Sequence, residues 1–449
     1  MEEHVKLEQK GLNKTALFEK IAEYKKKDVD WEHGRAFAYV YHYSEELKDI
    51  LKEVNNMFFS ANALNPAAFP SLKNFEAETI AMIGNMLGGD HKVCGNLTAG
   101  GTESIILAVK TYRDWAKKKY PEIKRPEMIL PESAHPAFNK GAHYFGVNQV
   151  YVPLDENYRP NIKAVEAALS DNTILIVGSA CDFPIGGVDP IPELARIAEE
   201  RKIGFHTDAC LGGFMLPFLK KLGYPITDFD FSVPGVTSIS LDIHKYGHGP
   251  KGTSALMYRN DKIWKHQFHA YTKWTGGIYA SPTTLGTRSG GPIAGAWATL
   301  KYMGEEGYLT AAKITKETTD RLISEIQRIP VLKILGKPEM TVFSFTSTDP
   351  NLNIYAVGDV LMEKGWFLDK MQKPQALHCL VNPIHASYVD EFISDLKQAI
   401  EIVQKNPSKS NEGEAAMYGM MATFKDREKL EEIVIGYLAD QYKVRKGKK

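Results

Sequence analysis

The apolar positions of this chain follow two rhythms that change along its length. From Ser44, Leu47, Ile50, Leu51, Val54 and Phe58 recur at three- and four-residue steps, the spacing of one helix face. A second such face runs through Leu72, Phe75, Thr79, Ile80, Ile83 and Leu87 before Gly88 stops it. After a glycine-rich turn the pattern predicts a helix over 105–119. Short β-rich runs follow at 127–130, 149–153, 173–179, 203–208, 237–241 and 254–258, separated by helical stretches. Strands alternating with helices imply a mostly parallel sheet covered on both faces, with ligands gathered at the strand C-termini. Past Gly276 a Gly/Pro-rich segment leads to helical runs at 293–303 and 311–326. Strands near 333–335, 341–346 and 377–381 then mix with helices at 354–364 and 388–405. The chain thus divides into an N-terminal helical segment (1–70), a large α/β domain (71–325) and a small C-terminal α+β domain (326–449).

Composition narrows the class of partner. The 449 residues carry 55 basic and 55 acidic side chains, so nothing argues for nucleic acid or an acidic membrane as the main ligand; a small molecule is expected. Cys94, Cys181, Cys210 and Cys379 form no CxxC pair, which suits a reducing, cytoplasmic compartment and argues against a disulfide framework. The first residues lack the basic and apolar regions of a leader, and no apolar run is long enough to span a bilayer. The basic tail from Lys443 reads as a solvated end. His266 and His269 have metal-like spacing but no nearby carboxylate or thiol to complete a ligand set, so no metal is expected, and both are read as residues of a helix surface.

Four motifs change the picture. Lys245 ends a strand-like run, Ser238 to Leu241, and is followed by the glycine-rich turn Tyr246-Gly247-His248-Gly249-Pro250-Lys251-Gly252. A lysine that must condense with an aldehyde needs this kind of fixed, partly desolvated place, where it can shed its proton. Asp208 closes the apolar run from Ile203, where a carboxylate could keep a pyridine nitrogen protonated. Thr98-Ala99-Gly100-Gly101-Thr102-Glu103 opens a helix and could cradle a phosphate through its N–H groups; it lacks a Walker ending, which argues against nucleotide hydrolysis. His135, between a strand and a helix, could lie on the face of a pyridine ring. Each motif alone is commonly a cap, a turn or a surface residue. Their order together points to pyridoxal 5'-phosphate.

With these motifs in this order, the chain resembles the pyridoxal-phosphate fold-type I enzymes (aspartate-aminotransferase-like), in their group II decarboxylase-like branch, and most closely the sphingosine-1-phosphate lyase family. The resemblance runs from about Trp31 to Leu438 and includes Leu97 to Ile105, Ser133 to Lys140, Asp208 to Phe214, Gly235 to Ser240 and Gly276 to Thr283. It implies that Lys245 is the Schiff-base lysine, Asp208 the ring-nitrogen partner and His135 the stacking residue. Gly100, Gly101, Thr102, His244 and Gly291 would hold the cofactor, the phosphate above all. Lys251 and Tyr41 would serve catalysis and the substrate, with Asn65, Tyr279 and Arg288 as further substrate-binding candidates. A homodimer with shared active sites and a phosphorylated amine substrate are also implied, as is cleavage of a long-chain 2-amino-3-hydroxy base into a fatty aldehyde and ethanolamine phosphate. The chain departs from the family at Phe37-Ala38, where Ser-Gly is usual, and at Asn65, where the family has histidine. Both departures are expected to face the substrate, which keeps an amino-acid decarboxylase open as the alternative. A non-catalytic cofactor-binding protein is a third possibility, disfavoured by the intact motif set.

Overall fold

The structure is a computed structural model and describes residues 7–443. The first six residues and all but the first residue of the basic tail lie outside the described residues. Seven strands form the main sheet: β1 (Cys94–Thr98), β2 (Glu127–Pro131), β3 (Asn148–Val152), β4 (Thr173–Ser179), β5 (Gly204–Asp208), β6 (Ser238–Leu241) and β7 (Ser254–Tyr258), in the order β1-β7-β6-β5-β4-β2-β3. Only β7 runs against the others, between β1 and β6. The central strands β4 and β5 are buried at every position, as continuous apolar runs with helices on both faces should be. One covering helix, Ile191–Glu200, buries Ile191, Leu194, Ala195, Ile197 and Ala198 on a single face against β4 and β5.

β1 is absent from the apolar pattern because Gly95 and Asn96 interrupt it. Gly95 is required there: a Cβ would stand 2.3 Å from the Leu256 carbonyl oxygen on β7. A hairpin of β8 (His269–Trp274) and β9 (Gly277–Ser281) occupies the segment read as an irregular connection. His269 therefore begins a strand, and His266 follows the short helix Asp261–Trp264, so neither belongs to the helix surface expected for them.

The two helical runs beyond the hairpin form one element, Gly290–Gln327, broken at Gly304, whose φ of 52° only glycine adopts freely. Beyond it a four-stranded antiparallel sheet contains β10 (Leu332–Ile334), β11 (Val342–Ser347), β12 (Asp369–Gln372) and β13 (Gln375–Leu380), in the order β10-β11-β13-β12. Helix Ile354–Glu363 packs on this layer, and helix Val389–Lys405 packs on that helix and on Gly290–Gln327. The polar strand β12 (Asp-Lys-Met-Gln) carries too little apolar signal to be read from sequence. The large sheet and the small sheet have separate apolar cores, one around Ile176, Phe205 and Ile239 and the other around Trp366, Phe343 and Phe392.

Phe37 lies in the second core. It is 1% exposed, its ring stacks on His385 at 4.2 Å and packs against Phe392 at 4.8 Å, and its backbone bonds Phe367 and Leu380. The expectation that Phe37 faces the substrate is thus corrected: the ring fills the small-domain core, where an aromatic side chain has partners on every side.

Candidate active site

The parallel strands β1, β2, β4, β5 and β6 end on the same edge of the sheet, and the chemistry-bearing residues emerge from those ends. Asp208 closes β5, paired in register with Ser240 of β6; Lys245 follows β6 by one turn. Asp208 is 6% exposed. Its Oδ1 accepts from the Cys210 backbone N–H at 3.1 Å and the Ser240 hydroxyl at 3.2 Å, which leaves Oδ2 for the cavity. Beneath it His206 is wholly buried between the hydroxyls of Ser238 and Ser240.

Lys245 Nζ lies 3.0 Å from Asp242 Oδ2, within the same turn. Burial pulls the lysine pKa down, but the charge and hydrogen bond of Asp242, together with the charge of Asp208, outweigh it and the net direction is up. The expectation of a lysine ready to shed its proton is corrected here: the burial is present, and so is a carboxylate that holds the proton. Asp242 itself is raised by burial and lowered more strongly by Lys245 and His244 together, with a net lowering. His244 donates from Nδ1 to the Thr253 carbonyl at 2.7 Å, with Nε2 3.7 Å from Asp242 Oδ2; burial lowers its pKa. The loop after Lys245 is fixed by the Tyr246 hydroxyl on the Val381 carbonyl at 2.9 Å and the Tyr308 hydroxyl on the Gly247 carbonyl at 2.9 Å.

The loop after β1 forms the second wall. Gly100, at φ 155°, caps the helix Gly101–Lys119, whose first N–H groups have no intrahelical acceptor and suit an anion. A Cβ on Gly101 would lie 2.6 Å from Asp242 Oδ2 and 3.0 Å from Cys210 Sγ, so only glycine lets the loop approach this closely. Glu103 ties the loop down, accepting from the N–H groups of Ala99 at 2.6 Å and Thr284 at 2.9 Å. His135 accepts the Ala137 N–H on Nδ1 at 3.1 Å, which places its ring proton on Nε2; burial lowers its pKa.

These walls enclose a cavity of two lobes that meet at Lys245, His135, Cys210 and His244. One lobe is lined by Gly100, Gly101, Thr102 and Asp242. The other, about 390 Å³, is lined by Tyr39, Tyr41, Phe183, Lys251 and, from the small domain, Asp369 and Leu380. Lys251 donates to the carbonyls of Tyr39 at 2.7 Å and His244 at 3.3 Å and sits 5.0 Å above the Tyr41 ring. Part of its side chain reaches solvent, yet protein surrounds the ammonium; that desolvation first, and then the charge of Lys245, pushes its pKa down to about 8 against the pull of Asp242.

These residues fit a phosphorylated pyridine aldehyde. The helix start offers N–H groups to a phosphate, Oδ2 of Asp208 is open to a ring nitrogen, and Lys245 supplies the amine. Ser133 Oγ, buried beside His135, is a polar atom without a partner among the described residues.

The chain's relatives agree with this chemistry. Residues 2–348 match the pyridoxal-dependent decarboxylase conserved domain. The chain is 44% identical to the sphingosine-1-phosphate lyase of Arabidopsis thaliana, over 96% of this chain and 80% of that one. It is 42% identical to sphingosine-1-phosphate lyase 1 of Rattus norvegicus, over 96% and 76%. The structure of the Burkholderia pseudomallei sphingosine-1-phosphate lyase superposes with a TM-score of 0.85 at 38% identity, covering 94% of this chain and 98% of that one. The chain belongs to the sphingosine-1-phosphate lyase family. It is a pyridoxal-phosphate-dependent lyase of fold type I. Glutamate decarboxylase of Lactobacillus brevis, at 20% identity and a TM-score of 0.78, shares the fold.

Within one chain of this family member, not every expected residue reaches the cavity. Lys245, Asp208, His135, His244, Gly100, Gly101, Thr102, Lys251 and Tyr41 line it. Arg288 does not: it is 8% exposed and gives a two-pronged ion pair to Glu76, at 2.9 and 3.0 Å, and a bond to the Leu97 carbonyl. Gly291 packs at a helix start, where a Cβ would meet the Asn55 side chain at 2.2 Å. Asn65 is exposed and accepts the Ala67 N–H, and Tyr279 stands on the exposed face of the hairpin. Sequence reasoning missed Asp242, Glu103, Tyr39 and Asp369. Only Asp242 had a usable signal, as an acid three residues before Lys245 at a strand end.

Proposed function

We propose that the protein cleaves the C2–C3 bond of a phosphorylated long-chain 2-amino-3-hydroxy base, giving a fatty aldehyde and ethanolamine phosphate. The names of its relatives support the substrate, and one observation of the site carries the choice between the two reactions. Among the described residues, the small-domain wall of the cavity offers Asp369 and Leu380. An α-carboxylate placed beside Asp369 would meet a like charge, whereas an amino alcohol brings hydroxyl donors that suit a carboxylate.

In this reading Gly101, Thr102 and His244 would hold the cofactor phosphate, His135 would be the residue at the ring and Asp208 Oδ2 the partner of its nitrogen. Bound there, pyridoxal phosphate supplies an electron-withdrawing ring to take up the charge left by bond cleavage. Lys245 Nζ would be the amine that holds the cofactor and the group placed to carry a proton to the substrate's C2. Lys251, titrating near 8, is partly neutral at physiological pH and accepts the C3 hydroxyl proton through Nζ, or, when charged, holds the substrate phosphate. Tyr41, which packs edge-on against Tyr246 at 5.0 Å, keeps water from that lobe.

The proposal includes a cytoplasmic homodimer with the three-part division given by the sequence. The four free cysteines support a reducing compartment. The exposed Trp274, Ile278 and Tyr279 of the hairpin support a partner subunit that they would reach, with Asn65 and Arg288 near that interface. Among the described residues no helix is long and apolar enough to cross a membrane.

The deciding assay incubates the cofactor-loaded protein with sphingosine 1-phosphate and, separately, with amino acids, and measures long-chain aldehyde, ethanolamine phosphate and carbon dioxide. Aldehyde and ethanolamine phosphate in equal amounts are expected. Carbon dioxide from an amino acid, with no aldehyde from the phospho-base, would overturn the proposal.

A further inference from the structure

The backbone at Tyr39 is unusual. Its φ is 59°, in the left-handed region that a tyrosine rarely occupies, and across it the Val40 N–H donates to the Ala38 carbonyl at 2.7 Å. A hydrogen bond between residues two apart around a positive φ is the mark of the tight, strained three-residue turn. Such strain persists only where surrounding contacts over-determine it, and at functional sites it is often part of the working geometry.

The contacts that hold this turn all come from the small domain. Before it, Phe37 is locked in the small-domain core. After it, the Asn382 side chain donates to the Val40 carbonyl at 2.9 Å. At its apex the Tyr39 hydroxyl donates to Asp369 Oδ1 at 2.7 Å, and the Tyr39 ring lies 5.8 Å from that of Phe367. What the turn points back at the large domain is the Tyr39 carbonyl, which takes the Lys251 ammonium at 2.7 Å. With the His244 carbonyl as the second acceptor, two of the three hydrogens of the ammonium are committed. The third is left for the cavity.

We propose that Tyr39 is a positioning residue for Lys251: its strained turn, tethered through the hydroxyl to Asp369, carries the placement of the small domain to the ammonium on the large domain. The inference rests on the reading of Lys251 as a working cation of the site. Without the tether the turn relaxes toward ordinary backbone angles, the carbonyl withdraws and the ammonium gains water. The titratable groups around Lys251 are Lys245 and Asp242, whose charges act on it, His244 beside it and Tyr41 below its ammonium. None of these contacts the Tyr39 hydroxyl; Asp369, which lines the same lobe, does, so Tyr39→Phe is also made in an Asp369→Asn background, where a change at Lys251 comes through the turn and not through a freed carboxylate.

The test is the titration of Lys251 itself, followed in the full-length holoenzyme by trace acylation of amines at a series of pH values, with the Lys251 peptide quantified by mass spectrometry. In the wild type the labelling midpoint is expected below that of an ordinary lysine, since burial lowers it. Tyr39→Phe removes only the tether. Tyr39→Ala removes the ring and the tether and keeps a residue strained at this backbone angle, so it keeps the test open if the phenylalanine variant folds poorly. Both are expected to raise the midpoint by about one unit, toward that of a solvated lysine, and to move the pH limb of kcat in the same direction with less change in KM. An unchanged midpoint in folded protein overturns the proposal, whether or not thermal stability falls. Because labelling does not depend on turnover, it separates this inference from the role of Lys251 in the reaction, which Lys251→Met tests through activity.

Discussion

Burial acting alone would make Lys245 give up its proton readily, since an ammonium taken from water is destabilised relative to the amine; Asp242 Oδ2, 3.0 Å away, reverses the sign. Asp242→Asn keeps the shape and removes the charge. The pKa of Lys245 is then expected to fall, because desolvation loses its largest counterweight while Asp208 remains. The raised pKa in the native protein contributes stability that is fully present below the unfolded-state value and is lost as pH rises through the folded one. The variant should therefore be less stable than the wild type at neutral pH and should lose that difference in strong alkali. Since one pKa unit is a tenfold change in the amine fraction, reductive methylation of Lys245 at neutral pH in cofactor-free protein should speed up by about tenfold or more. An unchanged rate would show that Asp242 does not set the charge of the lysine.

Among the elements, the segment from Ala36 to Tyr41 does the most with the least regular structure. It adds a parallel bridge from Ala36 to Phe367, sends Phe37 into the small-domain core and returns Tyr39 and Tyr41 to the cavity. The change from Ser-Gly to Phe-Ala is therefore a matter of packing. Phe37→Ala removes a ring surrounded by His385, Phe392 and Trp366 and should destabilise the small domain by about 3–5 kcal/mol. Substrate chain-length preference should stay unchanged. Denaturant unfolding and a series of chain lengths would check the two halves of that statement separately, and an altered preference at full stability would return Phe37 to the substrate. The hairpin of β8 and β9 shows the opposite case, an element with regular pairing whose residues, apart from Ser281, are all exposed. Its pairing cannot be read from burial periodicity, since it has no buried face within one chain.

At the scale of the whole molecule, the cavity is built where the large sheet, the small domain and the N-terminal segment meet, and each lends it different chemistry. If the hairpin also lends Tyr279 to a second subunit, inactive variants should complement one another. Mixed after dissociation and reassociation, Lys245→Ala and Tyr279→Ala chains would form mixed dimers in half of the cases, each with one intact site, so about a quarter of wild-type activity should return. Mixtures that stay inactive would place both residues in the same chain's site or remove Tyr279 from it.

The local order of strand, turn and helix was legible in the sequence because it rests on short-range physics: β4 and β7 have the bounds that their apolar runs imply, and the helix break at Gly304 falls between the two helical runs expected. The same holds for Lys245, Asp208 and His135, because each stands next to a strand end and strand ends of a parallel sheet share one edge, and for the Gly100-Gly101-Thr102 turn, because it opens a helix. Tertiary structure alone decided the rest. Asp369 and Tyr39 are 330 residues apart in the chain, Arg288 and Glu76 212 apart, and Phe37 meets His385 across the fold. A contact between residues that distant depends on how whole layers dock, and nothing in the spacing of either partner records it.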